Sequence, residues 1–589
     1  MITQSGENKI FDVIIAGAGP AGCVLASRLS EEQDRQILLI EAGPDVAAPG
    51  IEHPDVLDRF APNSTNNTAF HWPGLVAEVG ADLGKGATRA KRPYIQGYGV
   101  GGASNINGMG ADRGQPGDYD EWLDLGAEGW GWKDVLPYFK KLERDLDYAG
   151  DSAGIHGASG PLPVRRLSRA HWAPFSAAIG DTLQHRGFAF LQDYNSDFRE
   201  GVSAAPTNSF LDRRVSASMA YLTRAVRQRP NLTILANARA DRISLQGRCA
   251  NGVFARVHGA TRHVLARQVI ISCGAIQSPA LLMRSGIGSA DQLGRHGINV
   301  VQDLPGVGAN LQNHPYVSLV VYLPRGSAQP PDNPWFLQNW VRFSSSLPEC
   351  ISNDMHLIPL NKCAWHDLGR HIGVLVLSVF KPYSKGCVEL SSSDPATPPN
   401  VRFNLLADSR DSERLVLGMR FVLELLTDPV VTRMRGQIFY PDERVVASLS
   451  RRSAWNRFRA RAHAFTFERE WLRRLLLAKS SIDPQVLLTN ERALRDLVRR
   501  DAQPQYHVCG TCRMGRTDDP DAVVDSGTLV HGMEGLRVVD ASIFPSIPRA
   551  NTHLTVLMAA EKIADVIKTE WHIERSIMQY SDIRDIQSR

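Results

Sequence analysis

Two short apolar runs open the chain. Residues 11–16, Phe11-Asp12-Val13-Ile14-Ile15-Ala16, are rich in β-branched side chains and barely alternate, which is the pattern of a strand buried on both faces of a parallel sheet. Apolar positions then recur at helical spacing to about Leu29, and residues 36–40 form a second buried strand. Later runs predict strands at 231–235, 264–272 and 536–541. Residues 374–391 and 399–406 alternate like strands of an antiparallel sheet. Residues 415–426 predict an apolar-periodic helix, and a last helix runs from about Leu554 to Lys568. The class is α/β, with a second, antiparallel-sheet part of α+β type. Between the second strand and residue 110 the chain is irregular and rich in Gly, Pro, Asn and Ala. There are no tandem repeats and no low-complexity stretch.

The turn between the first strand and helix carries chemistry. Gly17-Ala18-Gly19-Pro20-Ala21-Gly22 has the spacing of a dinucleotide fingerprint, and Glu41 stands at the end of the second strand. Gly17 permits the tight turn, Gly19 lets backbone approach a pyrophosphate, and Gly22 lets helix pack on strand. The helix N-terminus offers free N–H groups to phosphate, and Glu41 can accept from a ribose diol. This pattern does not choose between FAD and NAD. A second glycine-rich segment, 97–108, suits backbone lying against a flat ligand, because so much glycine is otherwise entropically unfavourable.

Composition narrows the class. The 589 residues are 43% hydrophobic and 22% charged, enough for a sizeable core in two to four domains or one large two-domain enzyme. A net charge of +4 is too mild to argue for nucleic acid. No apolar run approaches the ~20 residues of a membrane span, and residues 1–9 show no secretory signal pattern, so the cytoplasm is the expected compartment. The eight cysteines are scattered, as free thiols in a reducing compartment would be. Cys509 and Cys512 have the spacing of a redox or metal pair. They lack a second pair or a βαβ context, so packing around their neighbour His507 is the simpler expectation, and no metal is expected.

Residues 451–474 stand apart, with eight arginines against Glu468 and Glu470. Trp455, Phe458, Ala462 and Phe465 fall at helical spacing. An amphipathic helical hairpin with a solvated basic face is expected. A lid, a partner-docking surface and peripheral contact with an anionic membrane are the alternatives.

Two histidines near the C-terminus lie in dense motifs: His507 in Tyr506-His507-Val508-Cys509-Gly510-Thr511-Cys512-Arg513-Met514-Gly515, and His553 in Pro548-Arg549-Ala550-Asn551-Thr552-His553-Leu554-Thr555. Two imidazoles brought to a redox cofactor would suit removal of a proton from an alcohol while the cofactor takes the hydride.

With these motifs the chain resembles the glucose–methanol–choline oxidoreductases over nearly its whole length. Gly274-Ala275-x-x-Ser278-Pro279-x-Leu281-Leu282-x-x-Ser285-Gly286-Ile287-Gly288 fits the family's second signature at every defined position. The 97–108 loop resembles the first signature, with Tyr98 and Ala103 as departures. Residues 118–122 and the run Asp303-Leu304-Pro305-Gly306-Val307-Gly308-Ala309-Asn310-Leu311-Gln312-Asn313-His314 are also similar.

The resemblance implies a Rossmann-type FAD-binding domain (1–165, 200–320 and 500–589). It also implies a discontinuous substrate domain (166–199 and 321–499) built on an antiparallel sheet; the basic helical stretch at about 445–490 looks like an insert, on which the family pattern is silent. It implies FAD held by Gly17, Gly19, Gly22, Glu41, Gly101, Gly102, Asn105, Asn107, Gly108, Asp540, Ala541, Thr552 and Thr555. Ile106 stands where some members carry the histidine that bonds the flavin, so non-covalent FAD is expected. His507 matches the active-site base and His553 the second active-site position. Trp72 and Met109 are candidate substrate-lining residues. The implied reaction is oxidation of an alcohol, expected to be primary and aromatic or bulky, with O₂, a quinone or another acceptor reoxidising the flavin. A non-redox lyase of the same family, a flavin-binding interaction protein and an NAD-dependent dehydrogenase are the competing classes.

Overall fold

The computed structural model describes residues 9–80, 91–148 and 154–587; residues 1–8, on which the expected absence of a leader rests, lie outside that set. Ile10–Ala16 pairs parallel with Ile37–Ile40 on one side and with the second half of Ala260–Ile271 on the other. Leu232–Leu235 and Leu536–Val538 extend the sheet, also parallel. Val13, Ile14, Ile15, Leu38, Leu39, Ile270 and Ile271 are fully buried, as the unbroken apolar runs require. Two further strands, Cys249–Val257 and Ala238–Gln246, add antiparallel to the first half of Ala260–Ile271, giving seven strands among the described residues. Ala260–Ile271 starts earlier than the apolar run because Thr261, Arg262 and His263 are exposed on this arm.

Pro20–Leu29 begins on Gly19 with proline at its first turn, where a missing N–H costs nothing. The C-terminal helix, Thr552–Gln587, packs along it. Arg28 donates to buried Glu561 at 2.8 Å, and Tyr221 Oη donates to the same carboxylate at 2.9 Å. The helix outruns the expected 554–568 because its later turns are held by charge rather than by an apolar stripe. Lys568 meets Glu31 at 2.9 Å, and Arg575 meets Asp34 at 2.7 Å.

The second sheet has nine strands among the described residues. Pro315–Tyr322 and Ile372–Val379 are its central antiparallel pair, flanked by Met355–Leu360, Asn339–Phe343, Gly201–Ala204 and Ala189–Leu191. Helix Ser409–Thr427 packs on this sheet through Leu415, Met419, Val422 and Leu426. Two strands lie at the expected divisions at 199/200 and 320/321. Gly201–Ala204 hydrogen-bonds to Asn339–Phe343, and residue 320 lies inside the strand Pro315–Tyr322. The strand-like runs 374–391 and 399–406 do form antiparallel pairs, divided between two sheets. Cys387–Glu389 and Asn400–Leu405 leave the nine-stranded sheet and join Val76–Gly80 and Lys91–Pro93 in a sheet of four.

The basic segment forms two helices, Ala454–Glu468 and Glu470–Leu477, preceded by Glu443–Ser450. The aromatic stripe does not pack inward: Asn456, Ala460 and Ala464 face the protein, while Trp455, Phe458 and Phe465 are exposed. The expected basic solvated face is therefore an aromatic one flanked by arginines. Among the described residues no helix is long and apolar enough to cross a membrane.

Candidate active site

A cavity of about 1370 Å³ joins the two sheets to these helices. Its walls include Gly17, Gly19, Glu41, Gly102, Ala103, Ile106, Asn107 and Gly108 from the nucleotide side. The nine-stranded sheet contributes Trp340, Ile358, Leu360, Val374 and Val376, and helices 443–477 contribute Val445, Leu449, Phe467 and Leu477. His507, His553, Thr552, Trp72, Asp540 and Ala541 line the same cavity.

The glycine turn divides the labour as its spacing suggests. Gly17 has φ +102°, and a Cβ there would stand 2.4 Å from the Ser272 carbonyl oxygen. A Cβ on Gly22 would stand 2.0 Å from the Gly17 carbonyl oxygen. Gly19 differs: the nearest protein atom to its Cβ position is 3.8 Å away, so the missing side chain leaves open a shelf at the helix N-terminus. Arg239 and Arg284 line the cavity as well. Glu41 accepts from the amides of Ala18 at 2.9 Å, Gly43 at 2.9 Å and Gly99 at 3.2 Å. Burial raises its pKa against these three bonds. A carboxylate oxygen accepts more than one hydrogen bond, so Glu41 can also accept from a ribose hydroxyl. Shelf, cations and acid together fit the pyrophosphate and ribose of a dinucleotide.

Several predicted cofactor residues, and the predicted substrate-lining Met109, stand behind the cavity wall. Gly22, Gly101, Asn105, Met109 and Thr555 do not line the cavity. Asn105 Nδ2 closes its own loop on the Val100 carbonyl at 2.9 Å. Asn107 Oδ1 accepts from buried Arg214 at 2.7 Å and from the Met109 amide at 3.1 Å. Thr555 Oγ1 lies 3.0 Å from Tyr119 Oη. The Asp540 carboxylate accepts from Gly274 N at 2.8 Å, Ser278 Oγ at 2.5 Å and Ser542 N at 2.7 Å, so its side chain holds the turn. Trp72 is half-buried, edge-on to Tyr98 at 5.5 Å.

The two histidines arrive from different elements. Segment 503–509 zips onto residues 312–316: Gln503–Pro504 pairs with Pro315–Tyr322, and Gln505 N donates to His314 O at 2.9 Å. Asn313 Oδ1 accepts from the His507 amide at 3.2 Å. This brings His314 Nδ1 to 2.9 Å from His507 Nδ1, while His314 Nε2 lies 3.1 Å from the Pro548 carbonyl oxygen.

The pair fixes its own protons. A carbonyl only accepts, so His314 carries its proton on Nε2 and leaves Nδ1 as an acceptor. His507 must then donate from Nδ1, and its Nε2 keeps the lone pair. Burial holds His314 well below the ordinary histidine pKa and lowers His507 to about 3, so both rings are neutral. No protein hydrogen bond to His507 Nε2 exists among the described residues.

His553 is the second residue of helix Thr552–Gln587, whose start is pinned where Asn551 N donates to Asp112 at 3.0 Å and Arg549 Nε to Asp118 at 2.8 Å. Burial, then Arg214, lowers its pKa to about 4. Its Nε2 is buried without a protein partner.

His314 is the residue whose role the sequence hid. It sits in a quoted motif, but only the pairing of 312–316 with 503–509 gives it a function. Arg239 and Arg284 had no signal at all. Cys509 and Cys512 are fully buried, and burial pushes both thiols up, as packing residues require. Glu143, Asp145 and His156 cluster closely, but Arg113 and Arg166 already pair with the two carboxylates.

Comparison with known proteins follows the same lines. The family described as GMC oxidoreductase matches residues 11–316 with its N-terminal part and 382–560 with its C-terminal part. The chain is 37% identical over 571 residues to a 5-(hydroxymethyl)furfural oxidase of Methylovorus sp. strain MP688, covering 96% of this chain and 99% of that one. It is 33% identical to an oxygen-dependent choline dehydrogenase of Sinorhizobium fredii, covering 96% and 97%. Among solved structures, pyridoxine 4-oxidase from Mesorbium loti superposes with a TM-score of 0.76 at 28% identity, covering 94% of this chain and 98% of that one.

Proposed function

Because this chain belongs to the GMC oxidoreductase family, an FAD-binding family, and is an enzyme acting on CH–OH groups, we propose that it oxidises an aromatic or otherwise bulky primary alcohol to the aldehyde, with His507 as base. The observation that carries this is the His314–His507 bond, which leaves a lone pair on His507 Nε2 at the cavity. Nε2 takes the hydroxyl proton. His553 steadies the oxygen as it gains charge, and the start of its helix favours that charge. The Gly17–Gly22 turn, Glu41 and the 97–108 loop would hold FAD, which when bound would supply the hydride acceptor. Ile106 offers no nucleophile, so the cofactor is held without a covalent bond. The seven-stranded sheet serves as the cofactor domain and the nine-stranded sheet as the substrate domain.

The substrate class follows from the walls. Phe336, Leu337, Trp340, Ile358, Leu360, Val374 and Val376 make them apolar and aromatic. A quaternary ammonium is held by aromatic faces, and a free carboxylate beside them would add to the attraction. The acids lining the cavity are Glu41 and Asp540, both engaged by backbone, and Asp442, which caps helix Glu443–Ser450. Anaerobic addition of benzylic or furanic primary alcohols bleaches the flavin absorbance, and choline does not. A flavin left oxidised by every aromatic alcohol overturns the proposal. Admitting air afterwards separates oxidase from dehydrogenase.

A further inference from the structure

The outward face of the 454–477 helices remains unexplained by this chemistry. Trp455 is 66% exposed, Phe458 62%, Phe465 59% and Trp471 67%, and Leu475 beside them is 68% exposed. Such side chains are normally withdrawn from water, and a cluster of them marks a surface with a partner. Trp455, Phe458 and Phe465 share one side of their helix, opposite the buried Asn456, Ala460 and Ala464. Arginines surround them. Among the described residues, Arg451, Arg457, Arg459 and Arg469 have no carboxylate partner, whereas Arg452, Arg461 and Arg474 do. Arg469 stands 3.7 Å over the Phe465 ring, so cation and aromatic are presented together.

We propose that this face is a docking surface for an anionic lipid bilayer, holding the cavity's opening at the membrane. The chemistry is that of an interfacial helix: indole and phenyl rings settle at the headgroup level, while guanidinium groups meet lipid phosphate. Uncompensated cations beside exposed aromatics match a surface that is negative and apolar at once. A second copy of this chain would instead set these arginines against their own kind. The opening lies beside this face: Val445 and Val446 of helix Glu443–Ser450 and Leu476 of helix Glu470–Leu477 line the cavity and are exposed at 41%, 50% and 55%. An apolar solute dissolved in the bilayer would therefore meet an apolar rim.

Co-sedimentation of the FAD-loaded full chain tests this, with vesicles of phosphatidylcholine alone and of phosphatidylcholine mixed with phosphatidylglycerol. The expected result is binding to the mixed vesicles, weakened by salt. The triple variant Trp455→Ser, Phe458→Ser, Trp471→Ser loses affinity on the order of tenfold or more, and so does Arg451→Glu, Arg457→Glu. None of these residues lines the cavity, so flavin content and turnover of a water-soluble alcohol stay unchanged. Two results overturn the proposal. One is failure of the unaltered protein to bind either vesicle. The other is elution at twice the monomer mass that the triple variant abolishes, which would assign the face to self-association.

Discussion

His314 Nδ1 lies 2.9 Å from His507 Nδ1, and the Pro548 carbonyl on the far side of His314 decides which ring gives the proton. His314 is thus a positioning residue. Its ring is also clamped, stacked on Phe380 with centroids 4.4 Å apart. Replacing His314 with Phe keeps the stack and removes the acceptor. Flavin reduction by substrate should slow by about 10–100-fold with little change in KM, and its pH dependence should shift as His507 loses its fixed tautomer. Stopped-flow reduction across pH reads both. An unchanged pH profile would reduce His314 to packing.

His507→Ala should lower the rate of reduction on the order of 10²–10⁴-fold, the usual worth of a general base. His553→Asn retains a hydrogen-bonding side chain at the helix start, so it should cost less. Both variants should keep their FAD, because neither ring builds the glycine turn. Equal losses from the two would contradict the division of roles.

The glycines of the first turn separate binding from folding. Gly22→Ala forces a methyl to within 2.0 Å of the Gly17 carbonyl oxygen, so the protein should lose both FAD and stability. Gly19→Ala meets no protein atom closer than 3.8 Å, and its φ of −67° suits alanine. It should fold normally yet bind FAD more weakly, because its methyl occupies the pyrophosphate shelf. Thermal melts of the apoproteins, beside FAD titrations, distinguish the two.

Stability should peak near pH 6.5. Burial depresses His314, His356, His366, His507 and His553, to about 4 for His366 and His553 and about 3 for His507. Each is neutral when folded but takes a proton on unfolding below ~6.5. Stability therefore falls as pH drops from there, by up to about 1.4 kcal/mol per pH unit per group. His156 acts oppositely. Burial disfavours its charge, but bonds to Asp145, Asp193 and Glu143 prevail and raise it to about 11. Its contribution is complete below ~6.5 and is lost as pH climbs towards 11. Melts across pH for His156→Gln should show a flatter alkaline limb.

His356 offers a separate check. Both its ring nitrogens are buried without a protein partner, among Tyr194, Trp340 and Phe380. An unpaired buried polar group costs about 1–3 kcal/mol, so His356→Phe should be neutral to stabilising and should flatten the acid limb. A marked loss of stability would show that the ring nitrogens are satisfied in solution.

The sequence by itself determined the parts whose signal is local. Short apolar, β-branched runs at 11–16 and 36–40 read as buried parallel strands, and Gly17, Gly19 and Gly22 had to shape a turn because spacing along the chain sets their geometry. Motif density singled out His507 and His553 for the same reason. Tertiary structure decided what depends on distant partners. The antiparallel arm of Ala260–Ile271 and the last turns of Thr552–Gln587 are held by pairing and charge, which leave no apolar period. The direction of the Trp455–Phe465 stripe was equally hidden, since periodicity marks a face but not what it faces. The tautomer of His507 is the clearest case. It is written in a bond to a residue 193 positions away, and only the folded sheet brings the two rings together.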